Sequence, residues 1–188
     1  MNWVLILRII LAGVFIFACW RWGNIKNWKQ YYPTILYSVV LQLLYRFFVE
    51  GDYFLWKLED DVFLLNQTFS FLIITFVIFP CSVILFLSHY PKPWIKQILY
   101  LAGWGGLSVI IETVMFLIER VTYHNGWNYW WSMAFDLTMY PMIRFNDVKP
   151  IPAWIVSFLM TAFYIIYFHV PLPEHEKSNF IGCLSSRK

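Results

Sequence analysis

Glu112 and Asp136 are carboxylic acids set inside apolar stretches of the chain, and Arg8 and Gln42 are polar groups set inside two more. Ionisable side chains in a bilayer are costly, so they are paired or line a cavity, and they mark a functional hypothesis by default. Three chemistries are open to such a set. Buried polar pairs can fix the register of neighbouring helices. A chain of them can carry protons or ions. Two adjoining carboxyls can also divide acid–base work, one held protonated as a general acid and the other ionised. Structural pairing is the favoured reading, since it needs no further assumption, and catalysis stays open.

The second constellation is the run Tyr123-His124-Asn125-Gly126-Trp127-Asn128-Tyr129-Trp130-Trp131. Asn-Gly favours a tight turn because both residues tolerate positive φ. His124 titrates near neutrality, and with Asn125, Trp127 and Asn128 it forms a candidate outer-loop site. A metal is not expected there: no second His or Cys stands at ligand spacing, and no His-Glu-x-x-His is present. Cys19, Cys81 and Cys183 are far apart and suggest neither a metal site nor a disulfide framework. No cofactor is implied.

These residues must be positioned by helices. The chain is 60% hydrophobic and 13% charged, about half the charge of an ordinary soluble domain. Six apolar stretches are each long enough, or nearly so, to cross a ~30 Å hydrocarbon core. They run over 3–20, 33–49, within 62–87, within 95–118, 129–145 and 152–170. The spacing therefore predicts an all-α, polytopic membrane protein of about six transmembrane helices, with a bundle over 1–170 and a short polar tail over 171–188. Arg8 follows an apolar run and no small-x-small site comes after it, so the first stretch reads as a membrane helix and not a removable signal. Eleven Trp and twelve Tyr suit the membrane–water interface, where such rings are favoured. The bilayer is the expected partner, with another membrane protein or a second copy of the chain beside it. A net charge of +3, scattered over short loops, speaks against nucleic acid.

Loop charges set an expected orientation. Arg21, Lys26 and Lys29 fall in the first connection, Lys92 and Lys96 at the third, and Arg144 and Lys149 at the fifth. The second is acidic with only Lys57, and the fourth holds Arg120. The bias puts the odd loops in the cytoplasm and both termini outside. Counted from the outer face, Arg8, Gln42, Glu112 and Asp136 each lie roughly 10 Å inside their boundary, at about 1.5 Å per residue. They are thus expected to form one polar layer, with Arg8 and Arg46 as counter-charges for the acids. Periodicity turns the polar faces inward. Glu112 shares a stripe with Gly105, Ser108 and Glu119, Asp136 with Ser132 and Tyr140, and Gln42 with Ser38, Tyr45 and Arg46. Helices four and five, joined by a short loop, should be antiparallel neighbours. Pro80 and Pro141 each remove a backbone donor within a span.

Several segments resemble a family of small multi-pass membrane proteins from spore-forming Bacillus and Clostridium relatives among the Firmicutes. They are Met1-Asn2-Trp3, Phe17 to Gly23, Trp28 to Thr34, Phe79-Pro80, Leu87 to Pro91, Glu112, Tyr123 to Asn128, Trp130-Trp131-Ser132 and Asp136. The likeness covers Met1 to about Val170. It implies a bacterial plasma-membrane location and brings no activity with it. The function expected is that of a structural or accessory envelope protein with a buried polar layer. The alternatives are a small proton-coupled transporter or an intramembrane enzyme acting on a lipid or isoprenoid.

Overall fold

The computed structural model describes residues 3–48, 53–58 and 67–171, with side chains over 9–48, 53–57 and 70–171. The side chain of Arg8 and the tail beyond residue 171 lie outside that set. In chain order the elements are α1 (Trp3–Trp22), a 3-10 turn (Ile25–Asn27), α2 (Trp28–Phe48), β1 (Trp56–Leu58), α3 (Gln67–Ile73), a π turn (Ile74–Ile78) and α4 (Phe79–Ser88). There follow α5 (Trp94–Leu117), β2 (Val121–Tyr123), α6 (Tyr129–Val148) and α7 (Pro150–Tyr167). The fold is all-α.

The π turn joins α3 to α4 without leaving helical dihedrals at either flank. Its place just ahead of Pro80 has a physical reason. Proline lacks an N–H and its ring crowds the carbonyl four residues back, and a widened turn relieves both. The third apolar stretch is therefore one rod. Pro33, expected to start the second helix, lies inside α2, which begins a turn earlier at Trp28.

Among the described residues, three helices are long and apolar enough to cross a membrane: the rod over Ser70–Ser88, α5 and α7. The number is up to four if Ile9–Trp22 and Ile25–Phe48, bent by 86° at their junction, form one broken span. Gly23 makes that corner, because a Cβ there would sit 2.4 Å from the carbonyl oxygen of Cys19. α6 carries Asp136, Arg144 and Asp147, which lowers its apolar character. That is compatible with a membrane protein and coarser than six crossings.

α4 is the centre. Val83 and Phe86 are fully buried, and Ser82 to Leu87 are buried in succession, as expected of a helix that is apolar all round. α1 and α2 pack on it. Phe86 is ringed by Tyr90, Tyr100, Trp104 and Tyr140. Cys19 and Cys81, distant in sequence, meet where α1 crosses α4.

The two ends of the bundle differ. At one, the Asn24 amide donates to Ser88 Oγ at 3.2 Å and the Arg144 guanidinium lies 4.3 Å from the Tyr90 ring centre. This gathers the first, third and fifth connections. At the other, β1 and β2 pair antiparallel, with Trp56 opposite Tyr123 and Leu58 opposite Val121. That ribbon unites the second and fourth connections over a core of Leu55, Trp127, Phe168 and Val170. α5 and α7 both end there in a left-handed residue, Glu119 (φ 57°) and His169 (φ 51°). In each, paired back-bonds close the turn: Glu119 to Phe116 with Arg120 to Met115, and His169 to Ile166 with Val170 to Ile165. Glu119 thus leaves the helix and does not continue the Glu112 stripe.

Candidate functional site

α5 and α6 pack against one another along their length. Contacts run Thr113 to Tyr129, Glu112 to Ser132, and Gly105 to Leu137, so one number falls as the other rises and the pair is antiparallel. Close approach depends on Gly105, where a Cβ would lie 3.0 Å from a Leu137 methyl. Asn128 starts α6 by accepting the backbone N–H groups of Trp130 and Trp131.

Glu112 is the acceptor at the middle of this seam. Its Oε1 receives the Tyr123 hydroxyl at 2.7 Å and the Ser132 hydroxyl. Asp136, one turn along α6 from Ser132, adjoins the Glu112 carboxyl, while its Oδ2 is buried without a hydrogen-bond partner among the described residues. Beside them Thr113 and Tyr129 exchange a 2.8 Å hydroxyl contact. One turn further along α6, Tyr140 sets its hydroxyl between Ser82 and Ser108. Tyr123 stands outside the helices, on β2. Burial is the main force raising its phenol, and the Glu112 carboxylate it serves raises it further, so it stays a proton donor across the physiological range.

The other polar residues lie elsewhere. Arg46 places its guanidinium 5.8 Å and 5.9 Å from the ring centres of Phe71 and Phe54, a cation–π arrangement at the ribbon end. Gln42 lines a separate chamber. The structure brings Glu112 and Asp136 together, while Gln42 lines a chamber to which neither acid contributes.

Residues of the Tyr123–Trp131 run build the ribbon end. Asn125 (φ 53°) and Gly126 (φ 83°) are both left-handed, and the Trp127 amide donates to the His124 carbonyl at 3.0 Å, closing a hairpin-type turn. Asn125 Nδ2 donates to the Phe54 carbonyl at 2.8 Å, and the His124 amide to the Leu55 carbonyl at 2.8 Å. The His124 ring is exposed and reaches Thr122 Oγ1 at 3.0 Å.

The chamber has a volume of about 170 Å³, lies between α2, α6 and α7, and is partly enclosed. α2 contributes Tyr37, Leu41 and Gln42, α6 contributes Phe135, Met139 and Met142, and α7 contributes Ser157, Met160 and Tyr164. Leu55, Trp56 and Trp127 roof it. Tyr37 and Ser157 close the floor with a 2.5 Å hydroxyl contact, backed by Trp154, whose ring centre is 4.9 Å from that of Tyr37. Neither Glu112 nor Asp136 lines it: Ser132, Asp136 and Tyr140 occupy another face of α6. Sequence periodicity did not reveal the chamber, because its walls join α2 to α6 and α7, which are far from it in sequence. The one signal was Gln42, an amide in an otherwise apolar setting.

Compared with protein-family models, with curated proteins and with solved structures, the chain matches none.

Proposed function

We propose that the protein is a multi-pass protein of the bacterial plasma membrane, with a structural or accessory role in the envelope and with α5, β2 and α6 held as one unit by the Glu112 joint. The observation that carries this reading is the donor set of Glu112: Tyr123 from β2 and Ser132 from α6 both give their protons to one carboxyl oxygen. A carboxyl spent on two protein donors from two elements acts as a fastener. An intramembrane enzyme would need an acid on the chamber, and the acid pair meets in the seam between α5 and α6 instead. In this reading the basic end lies in the cytoplasm, the ribbon end lies outside with both termini, and α1, α2 and α6 complete six crossings. Alternation of the basic loops supports that orientation, as does their gathering at one end of the bundle.

The test is purification of the tagged, full-length chain from its native membrane in mild detergent. A stoichiometric membrane-protein partner is expected. Recovery as a lone monomer with no partner would overturn the accessory role. Reporter fusions after Lys149 and at the amino terminus check the orientation, with the former expected in the cytoplasm and the latter outside.

A further inference from the structure

We propose that the chamber between α2, α6 and α7 is a binding site for one ester-linked acyl chain of a membrane glycerolipid. This assignment is independent of the accessory role above.

Among the described residues the lining is apolar apart from hydroxyls, indole N–H groups and one amide, and it contains no charged side chain. Small apolar cavities stay dry, and one of ~150 Å³ accepts a six-carbon ring. At about 170 Å³ this space holds a segment of chain and not a whole lipid. Its partial enclosure lets the remainder pass out between helices. α2 and α7 touch at the floor through Tyr37 and Ser157, and near the roof the hydroxyl of Tyr53, in the connection that follows α2, donates to the carbonyl of Phe168 at the end of α7 at 2.5 Å. The chamber lies between those two contacts.

Trp127 supplies the second observation. It is 7% exposed, it lines the chamber, and its Nε1 is buried with no acceptor among the described residues. A buried donor without a partner is costly, and a ligand oxygen would supply the missing acceptor. Tyr164, with its ring centre 5.4 Å from that of Trp127, and Gln42, about one turn below Tyr45, add polar groups near the same end. The acceptor should be neutral, because among the described residues no Lys or Arg lines the space to compensate a phosphate. An ester carbonyl meets that requirement. It also lies at the interfacial depth where tryptophan is favoured, with its chain running toward Tyr37.

The experiment uses the full chain in nanodiscs of phosphatidylethanolamine and phosphatidylglycerol, doped with phosphatidylglycerol carrying a diazirine near the ester end of one acyl chain. After photolysis, peptides are mapped by mass spectrometry. Adducts are expected at Met139, Met142 and Met160, besides bulk-lipid adducts at outward residues such as Leu159 and Ile166. Met160→Trp should cut chamber adducts at least fivefold and leave outward adducts unchanged. Trp127→Phe keeps an aromatic side chain, though a smaller one, removes the donor, and should cut them about threefold, so the test stands even if Met160→Trp fails to fold. A photoreactive polyprenyl phosphate at the same dose should label the chamber less than the glycerolipid. Absence of chamber adducts, labelling unchanged in a folded variant, or preferential capture of the polyprenyl phosphate would each overturn the assignment.

Discussion

Tyr37 and Ser157 place their hydroxyls 2.5 Å apart, joining α2 to α7 across most of the chain. Both residues are buried, so either hydroxyl left alone loses its partner away from water. This contact sets the separation of the two helices at the chamber floor, and Tyr53, in the connection after α2, bonds Phe168 just past α7 near the roof.

Tyr37→Phe should therefore cost about 1 kcal/mol, and Ser157→Ala a similar amount. The double variant should cost less than the two together, by roughly the 0.6 kcal/mol typical of interhelical hydrogen bonds in membranes. Unfolding of the four proteins in one detergent gives the cycle. Strict additivity would mean that the two hydroxyls do not interact.

Glu112→Ala and Glu112→Gln separate fastening from acid–base chemistry. Alanine strands the Tyr123 and Ser132 donors and should destabilise by at least ~2 kcal/mol. Glutamine keeps an acceptor oxygen for both and offers an amide N–H toward Asp136, so it should cost less than half as much. If the accessory role is correct, Glu112→Gln should also retain partner binding in the pull-down. Loss of phenotype with a stable Glu112→Gln protein would indicate proton chemistry instead.

Alkaline pH gives an independent reading of Tyr123. Its phenol is raised in the folded chain above its ordinary value of about 10. Below that value its stabilising share is fully present. Above it the unfolded chain binds fewer protons than the folded one, so stability falls with rising pH until the folded phenol ionises. Tyr123→Phe should flatten this part of the stability profile above pH ~10, measured in a detergent stable to base.

Gly105 and Gly106 are adjacent but face different surroundings. A Cβ at Gly105 would meet Leu137 at 3.0 Å, whereas nothing lies within 4 Å of one at Gly106. Gly105→Val should push α6 away and cost about 1–3 kcal/mol, while Gly106→Val should be nearly neutral. Melting temperatures of the two variants test the difference.

Asn125 holds a left-handed turn and bonds the Phe54 carbonyl. Asn125→Gly keeps the dihedral freedom and loses the bond; Asn125→Ala loses both. Hydrogen exchange over Phe54 to Leu58 should rise in both, more in alanine by about 1 kcal/mol of opening energy. His124→Ala should leave it unchanged.

Long apolar stretches and short loops were enough to anticipate the helices. Each of the six stretches overlaps a helical rod, and the short connection near Asn125-Gly126 implied the antiparallel arrangement of α5 and α6. Periodicity worked for Ser132, Asp136 and Tyr140, because three and four residues make nearly one turn. It failed for Glu119, where the helix had already ended in a left-handed residue. Three-residue strands such as Val121–Tyr123 are too short to show alternation, so the ribbon was invisible until its partner was placed. Arg46 also lies over the rings of Phe54 and Phe71, and ring faces leave no mark in a hydropathy pattern. The chamber depends on how far apart α2 and α7 are held, which no local stretch encodes.

The ribbon end also constrains how the molecule is made. β1 leaves the ribosome long before β2, and the Phe168 carbonyl that accepts from Tyr53 comes later still. During synthesis the early helices wait with the connection after α2 unfastened until α7 has been made and supplies the clasp. Closure of the ribbon end thus depends on a residue made well after the elements it fastens, so that damage near Phe168 would be felt first at Tyr53.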